Sequence, residues 1–428
     1  MLRGVALPPN DRLTPRARRY AYPEFSSAAQ RLLDAAASAP PSPLDPSGLM
    51  TAARERTQLV DFGEAPLHEP LALLCASLNE EMELHALGRA YVRQQLLGLL
   101  ATRLRLVDLW RCHPEILDIP IERPIVIIGL PRSGTTILHK LLCRDPMRRL
   151  SPFWEQVMPL PIRDDAQAEP DPRIEIARGS LETLYTVAPD FVSMHEMSVD
   201  EPDEDIMQLI YGFASKQFEW SYIVPRFTAW FQSADHTLGY HWFKRILQTS
   251  QWLRPGPKRW VLKAPQHLEQ LGPLTKTFPD AILVQTHRDP TDAVISLASM
   301  TCYGTRRYFA HPNPHLYGPR MAEIVERLLR KGEEARPALR QPIVDILFKD
   351  LLADPIGCVR RIYAAADDEL SPDTEARMAA WSHENRQGKH GKHEYAAEDV
   401  GLEREPLRRR FDFYKHRFAP DSASKHGK

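Results

Sequence analysis

Two hydrophobic patterns follow one another along the chain. From Leu67 to Trp110, apolar residues recur at steps of three and four, the spacing that places them on one face of an α-helix. This stretch predicts about two amphipathic helices. From Pro124 onward the pattern changes to short β-branched runs, beginning with Ile125–Ile128, which is too short for a helix. A run of this kind predicts a buried strand of a parallel sheet.

Three further segments have the composition of strands: Arg259–Lys263, Ala281–Thr286 and Pro342–Phe348. Strands that alternate with helical stretches favour a parallel sheet with right-handed crossovers. The predicted fold class is therefore α/β, a parallel sheet flanked by helices. A mostly helical insertion of about residues 150–255 follows the first strand and its helix, and a helical N-terminal region precedes the sheet.

The same patterns divide the chain into four parts. Residues 1–48 form a Pro- and Arg-rich leader with one short helix near Ser27–Ala37, and residues 49–123 form the helical N-terminal region. Residues 124–400 form the α/β domain. Residues 401–428 are predicted to be a basic and irregular C-terminal tail.

Composition limits the classes of function. With 43% hydrophobic and 26% charged residues the chain has globular composition. A net charge of -1, from 55 basic and 56 acidic residues, argues against a general electrostatic attraction to nucleic acid or to an anionic membrane, so any anion site must be local. No apolar run approaches the roughly 18 residues of a membrane span. Five scattered cysteines without a CxxC pair argue against a disulfide scaffold and a thiolate zinc site, and they favour the reducing cytoplasm.

The strongest chemical signal is the turn Gly129–Thr136, with sequence GLPRSGTT, between a predicted strand and a predicted helix. Gly129 and Gly134 allow backbone N–H groups to close around an anion, and a helix from Thr135 would add its positive dipole end. The spacing matches a Walker A loop, but Thr135 stands where that loop has its Lys. The loop is therefore P-loop-like, predicted to bind an anion but not to carry out the usual ATP chemistry.

This turn resembles the 5′-phosphosulfate loop of the sulfotransferases that use 3′-phosphoadenosine 5′-phosphosulfate (PAPS), with Arg in the loop as in the tyrosylprotein and several bacterial branches. The resemblance implies that PAPS is the cosubstrate. Its 5′ end would be bound by Arg132, Ser133, Gly134, Thr135 and Thr136. An adenine-stacking aromatic often follows the loop in the family, whereas Ile137 stands there in this chain, so the adenine contact is unassigned.

Two later segments agree with the resemblance. After the strand AILVQT comes Arg288, and Ser296 lies eight residues further on; in the family such a pair holds the 3′-phosphate. Residues 386–395, RQGKHGKHEY, are similar to a C-terminal basic and glycine-containing segment that closes over the same phosphate in bacterial members. The resemblance thus adds Arg386, Gly388 and Lys392 to the cofactor-binding set.

Three residues are candidates for catalysis beside Arg132. Glu155 falls within a few residues of the catalytic Glu of the tyrosylprotein and trehalose branches, so the resemblance implies a general base. Lys263 closes a predicted strand and corresponds to a Lys that contacts the leaving sulfate in cytosolic members. His267 is the nearest analogue of the cytosolic catalytic His, four residues after the Lys rather than two. Each has a plainer alternative: a surface Glu, a solvated Lys, and a core or helix-capping His.

An acidic run follows His195 and includes Glu201, Asp203 and Asp205. Acids around Pro202 more often mark a solvated helix start than a metal site, and the family's reaction needs no metal, so no metal is expected. The His195–Glu201 segment is the next candidate for the base if neither Glu155 nor His267 takes the proton.

The sequence therefore favours a PAPS-dependent sulfotransferase with a hydroxyl or amine acceptor, which would be a small molecule, a glycan or a lipid. The alternatives are a P-loop-type nucleotide-dependent kinase or hydrolase and a non-catalytic nucleotide-binding protein. An aromatic stretch could line an acceptor pocket, although core packing is favoured at such density: Phe218, Trp220, Tyr222, Phe227, Trp230 and Phe231. Neither the acceptor nor an oligomeric state follows from the sequence.

Overall fold

The computed structural model describes residues 8–40, 42–162, 170–385 and 393–418. The chain divides into two compact units. Unit 1 comprises Met1–Ile121, Ser151–Gly256 and Thr301–Asn313, and unit 2 comprises Glu122–Leu150, Pro257–Met300 and Pro314–Lys428.

The five strands are β1 (Ile125–Gly129), β2 (Arg148–Arg149), β3 (Arg259–Lys263), β4 (Ile282–His287) and β5 (Ile343–Leu347). The α-helices of the described residues are α1 (Pro15–Ala21), α2 (Ser27–Ala37), α3 (Pro46–Thr57), α4 (His68–Glu80), α5 (Ala86–Cys112), α6 (Thr135–Leu142), α7 (Phe153–Val157), α8 (Pro172–Val187), α9 (Phe191–Met194), α10 (Ile206–Leu209), α11 (Gln217–Ser221), α12 (Pro225–Ser233), α13 (Thr237–Leu253), α14 (Leu271–Thr277), α15 (Pro290–Gly304), α16 (Pro314–Ala335), α17 (Phe348–Ala353), α18 (Pro355–Ala366), α19 (Pro372–Glu384), α20 (Arg404–Arg410) and α21 (Asp412–Phe418). Short 3₁₀ helices cover Asn10–Arg12, Pro114–Asp118, Ile210–Gly212, Pro265–Leu268, Thr305–Arg307, Arg336–Ala338 and Glu398–Val400.

Unit 2 is built on a parallel sheet with strand order β2-β3-β1-β4-β5. Every residue of the central strand β1 is buried, which explains its continuous β-branched sequence. Side chains of β1, β4 and β5 form one apolar core with those of α6 and α18. The α/β prediction and its four strands are confirmed. The fifth strand, β2, has only two residues, too few for any periodicity to reveal it.

Unit 1 is helical. The predicted apolar face of α4 is confirmed by Leu71, Leu74 and Leu78, which are buried in the same core as residues of α5. Phe218, Tyr222, Phe227 and Phe231 belong to this core, with Trp230 packed against it, so core packing rather than a pocket accounts for most of the aromatic stretch. Among the described residues, no helix is both long and apolar enough to cross a membrane.

One buried cation ties unit 1 together. The Arg103 guanidinium donates to the carbonyl oxygens of Phe62 (2.6 Å), Ala65 (2.5 Å) and Tyr211 (2.9 Å), and it lies 4.4 Å from the Trp242 ring centroid. Burial lowers the pKa of Arg103 to about 10, although nearby carboxylates oppose that shift. Three carbonyl groups and an aromatic face thus stabilise a charge that burial would otherwise penalise.

Both ends of the chain are more regular than the sequence analysis predicted. The helix Ser27–Ala37 is confirmed as α2, but α1, within the predicted leader, was not predicted. The prediction of an irregular tail is wrong for α20 and α21. A signal was available there, because Leu407, Phe411 and Tyr414 recur at helical spacing and all three are buried.

The loop after β1 depends on glycine at two positions. Gly129, in register with Thr286 of β4, has φ +133°, and a Cβ atom there would lie 2.4 Å from Thr286 Oγ1 and 2.7 Å from the Thr286 carbonyl oxygen. Gly134 has φ +93°, and its Cβ would lie 2.8 Å from Leu351 Cδ2. Both positions therefore combine a backbone conformation that disfavours side chains with a close neighbour.

We expect Gly129→Ala to lower the free energy of unfolding by about 1–3 kcal/mol, since Ala would be forced into a disfavoured backbone conformation against β4. The matched control is Gly272→Ala in α14, where an added Cβ meets nothing within 4 Å; it should be neutral or slightly stabilising. Denaturant unfolding of both variants measures the difference. Equal stability of the two would contradict a steric requirement at Gly129.

Candidate active site

The loop and the start of α6 form a site suited to an anion. The α6 helix begins at Thr135, directly after Gly134, and its first N–H groups have no partner within the helix. Ser133 Oγ donates to the Leu130 carbonyl oxygen (2.5 Å) and lies 2.6 Å from Thr286 Oγ1. The Ser133 hydroxyl therefore fixes the loop, while the helix start offers backbone donors and a positive dipole end.

The structure brings Arg132, Arg288 and Ser296 together. Arg132 Nε donates to Ser296 Oγ at 3.2 Å, and Arg288 Nη1 donates to the Arg132 carbonyl oxygen at 2.7 Å. Arg288 directly follows β4, and Ser296 lies within the first turns of α15. Arg288 also packs over the Phe348 ring, 4.7 Å from its centroid.

Positive charge is concentrated at this point. Burial lowers the pKa of Arg132, Tyr395 opposes that effect, and the neighbouring charge of Arg288 lowers the pKa further. Arginine nevertheless stays protonated in proteins. Arg132 also has φ +68°, an uncommon conformation for a residue with a side chain, and such strain gathers at functional sites. Two adjacent guanidinium groups and the helix start therefore fit a ligand that carries more than one negative group.

A C-terminal segment reaches the same helix. His393 Nε2 lies 3.0 Å from Ser299 Oγ on α15, one turn beyond Ser296, and the His393 ring packs against Tyr395 at 5.1 Å. The predicted binding residues Arg386, Gly388 and Lys392 lie outside the described residues. Sequence analysis included His393 and Tyr395 in the segment 386–395 without giving either a role of its own. It missed Ser299 and Phe348; of these two, Ser299 gave a signal, through its helical spacing from Ser296.

Lys263 and His267 are both fully buried in unit 2. Lys263 ends β3, as predicted, and is in register with Ile127 of β1; it is therefore not the solvated strand-end Lys of the plainer alternative. His267 lies in the 3₁₀ helix Pro265–Leu268, which agrees with a core His as well as with a catalytic one. The carboxyl end of a parallel strand is where the sites of α/β proteins usually form.

Glu155 belongs to unit 1, where it lies in the first turn of α7 and is only 2% exposed. Its Oε2 atom lies 4.0 Å from Arg254 Nη1, and the Arg254 guanidinium also packs 4.9 Å from the Trp154 ring centroid. Glu155 is thus not the surface residue of the plainer alternative. It is a buried carboxylate beside a cation.

The acidic run near Pro202 is partly buried. Asp203 and Asp205 are 7% and 2% exposed, so the expectation of a solvated helix start is wrong for these two residues. His195 Nε2 lies 3.4 Å from Asp203 Oδ1. No group of three His, Cys, Asp or Glu side chains placed to hold a metal ion occurs in the part of the chain that the structure describes.

Comparison with known proteins supports the family suggested by the loop. The model of the sulfotransferase family matches residues 124–372. No curated protein sequence matched the chain significantly.

Two crystal structures of sulfotransferases resemble most of this chain. STF9 from Mycobacterium avium is 28% identical with a TM-score of 0.76, covering 88% of this chain and 97% of STF9. STF1 from Mycobacterium tuberculosis is 28% identical with a TM-score of 0.74, covering 87% of this chain and 100% of STF1. The family match spans more than half of the chain and includes the loop, β3, β4 and α15. The chain therefore belongs to the sulfotransferase family.

Proposed function

We propose that the protein transfers the sulfuryl group of PAPS to a hydroxyl or amine of an acceptor. The observation that carries this proposal is the meeting of Arg132, Arg288 and Ser296 beside the N-terminus of α6. A member of the sulfotransferase family needs a sulfuryl donor, and PAPS carries negative groups at both its 3′ and 5′ positions. The site offers separate groups of donors for the two ends.

The loop fits the 5′ end of the donor. The backbone amides of Gly134, Thr135 and Thr136 stand at the start of α6, where a phosphosulfate can accept several hydrogen bonds and gain from the helix dipole. Arg132 would polarise the sulfuryl group. Lys263 would neutralise the charge that develops on the bridging oxygen, since a buried cation acts more strongly than a solvated one.

Arg288 and Ser296 fit the 3′-phosphate. Arg288 donates one N–H to the Arg132 carbonyl oxygen, and Ser296 Oγ accepts a hydrogen bond from the Arg132 guanidinium. The Ser296 hydroxyl proton and the other Arg288 N–H groups can therefore still bind phosphate oxygens. Arg386, Gly388 and Lys392 complete the proposed binding set by resemblance alone. The described end of that segment, His393, already contacts α15, which supports the assignment.

In the proposed reaction the S–O bond to the donor phosphate breaks and a bond from sulfur to the acceptor oxygen or nitrogen forms. Adenosine 3′,5′-bisphosphate leaves, and the acceptor loses a proton. Most of the rate enhancement would come from positioning and charge stabilisation, as in the related phosphoryl transfer. We propose Glu155 as the base, supported by its burial and by its cationic neighbour Arg254.

The direct test incubates the protein with sulfur-labelled PAPS, excess EDTA and a panel of phenols, hydroxylated lipids and glycans. We expect labelled product without added metal, because Arg132, Lys263 and the loop amides meet the developing charge. Magnesium-dependent ATP turnover without sulfuryl transfer would instead favour the kinase or hydrolase alternative. Nucleotide binding without any turnover would favour a non-catalytic protein.

Replacing Arg288 tests recognition of the 3′ end. We expect Arg288→Ala to weaken binding of adenosine 3′,5′-bisphosphate by roughly ten- to a hundredfold, the value of a charge-assisted contact, and to leave adenosine 5′-phosphate nearly unaffected. Calorimetry measures both affinities. Arg377→Ala, which removes an exposed arginine paired with Asp373, is the control. Equal losses for the two nucleotides would show that Arg288 does not recognise the 3′-phosphate.

Glu155→Gln tests the base. The amide keeps the size but not the basicity, so we expect kcat to fall by roughly 10²–10⁴ with cofactor affinity unchanged. Glu175→Gln, at an exposed carboxylate of the same unit, should leave kcat unchanged. If Glu155→Gln keeps more than about a tenth of the activity and a folded His267→Gln loses it, His267 is the base. If both variants stay active, the His195–Glu201 segment becomes the candidate.

A further inference from the structure

His287 lies at the end of β4 directly before Arg288, and the proposed chemistry does not use it. Its side chain is fully buried, yet both ring nitrogens have polar partners: Nδ1 lies 2.6 Å from Tyr414 Oη, and Nε2 lies 2.8 Å from Asp345 Oδ1. Tyr414 belongs to α21 and Asp345 to β5. The imidazole therefore connects the C-terminal helix to two neighbouring strands.

The protonation states of Tyr414 and Asp345 indicate which atom donates in each of these hydrogen bonds. Burial raises the pKa of Tyr414, so its hydroxyl stays protonated. Burial acts to raise the pKa of Asp345, but hydrogen bonds from His287 and Arg336 outweigh it and hold the pKa below its usual range. Tyr414 then donates to Nδ1, and Nε2–H donates to the ionised Asp345.

Arg336 extends the network to a second residue of β4. It donates to Asp345 Oδ2 (2.5 Å) and to Gln285 Oε1 (2.8 Å), and Gln285 lies two residues before His287 in β4. The carboxylate between His287 and Arg336 is thus fixed from both sides. Buried networks of this kind restrict side chains to one arrangement.

Two other contacts of α21 hold His287 and Asp289. The Phe418 ring stacks on the His287 ring with centroids 4.6 Å apart and an interplanar angle of 13°. Lys415 Nζ lies 3.9 Å from Asp289 Oδ1. Residues 287 and 289 are therefore both anchored to one helix, and the residue between them is Arg288.

We propose that α21 is a positioning element for Arg288, and that the Tyr414–His287 hydrogen bond sets the affinity for the 3′-phosphate. The proposal rests on the proposed function, in which Arg288 binds that phosphate. Fixing the backbone on both sides of a long side chain limits where its guanidinium can reach. Binding sites tolerate only about 0.5 Å of displacement in such groups.

The test removes a single hydroxyl. We expect Tyr414→Phe in the full chain to weaken binding of adenosine 3′,5′-bisphosphate by about three- to tenfold, the value of one hydrogen bond, and to leave adenosine 5′-phosphate unchanged. The matched control is Tyr363→Phe, which removes another buried tyrosine hydroxyl of unit 2, bonded to Asp145. It should lower the melting temperature comparably without changing either affinity.

A double-mutant cycle separates positioning from general destabilisation. In an Arg288→Ala background, Tyr414→Phe should cause no further loss of bisphosphate affinity, because the group that it positions is already absent. Additive losses, or equal losses for the two nucleotides, would overturn the proposal. If Arg288→Ala by itself does not discriminate between the nucleotides, the assignment of Arg288 in the proposed function fails, and the positioning role falls with it.

A second variant covers the case in which Tyr414→Phe does not fold. Lys415→Gln removes the contact with Asp289 on the other side of Arg288, and with it two contacts inside the C-terminal segment, to the Arg408 carbonyl oxygen (3.1 Å) and to Asp412 Oδ1 (4.0 Å). We expect a selective loss of about two- to fivefold in bisphosphate affinity, the value of a weak ion pair. A folded Lys415→Gln variant with wild-type affinity for both nucleotides would remove α21 from the recognition of the phosphate.

Discussion

The pairing of β1 with β4 is the constraint on which the site in unit 2 depends. The strands run parallel from Ile125 opposite Ile282 to Gly129 opposite Thr286, so their carboxyl ends lie side by side. The loop after β1 and Arg288 after β4 must then meet, although Arg132 and Arg288 are 156 residues apart. The close approach of the two strand ends leaves no room for a side chain at position 129, which is why the loop begins with glycine.

Buried charges serve different purposes in different parts of the molecule. Arg148 lies 2.8 Å from the Asp368 carboxylate at the β2 edge of the sheet, and Arg103 of unit 1 binds three carbonyl groups. Such contacts compensate the cost of burial and hold segments together. At the loop, by contrast, the bonds among Arg132, Arg288 and Ser296 join guanidinium groups to neutral oxygens. In the proposed function, these guanidinium groups bind the anionic donor.

Two late segments of the chain return to the strand ends. His393 contacts α15 beside Ser296, and Tyr395 affects the pKa of Arg132. Tyr414 and Phe418 of α21 contact His287 at the end of β4. In the proposed function the strand ends would supply the binding groups, and the C-terminal segments would stabilise the backbone that carries them. A site of this kind requires nearly the whole length of unit 2, even though its motifs occupy few residues.

The sequence by itself determined the local features: four strands, the glycine loop with α6 after it, and Arg288 eight residues before Ser296. These follow from short-range periodicity and from backbone conformations that only glycine adopts readily, and they sufficed to suggest the family. The tertiary structure decided which distant residues meet. The burial of Lys263 and Glu155, the two-residue strand β2, the Ser299–His393 contact and the Tyr414–His287–Asp345 network have no local signature, because each depends on packing between segments far apart in the chain.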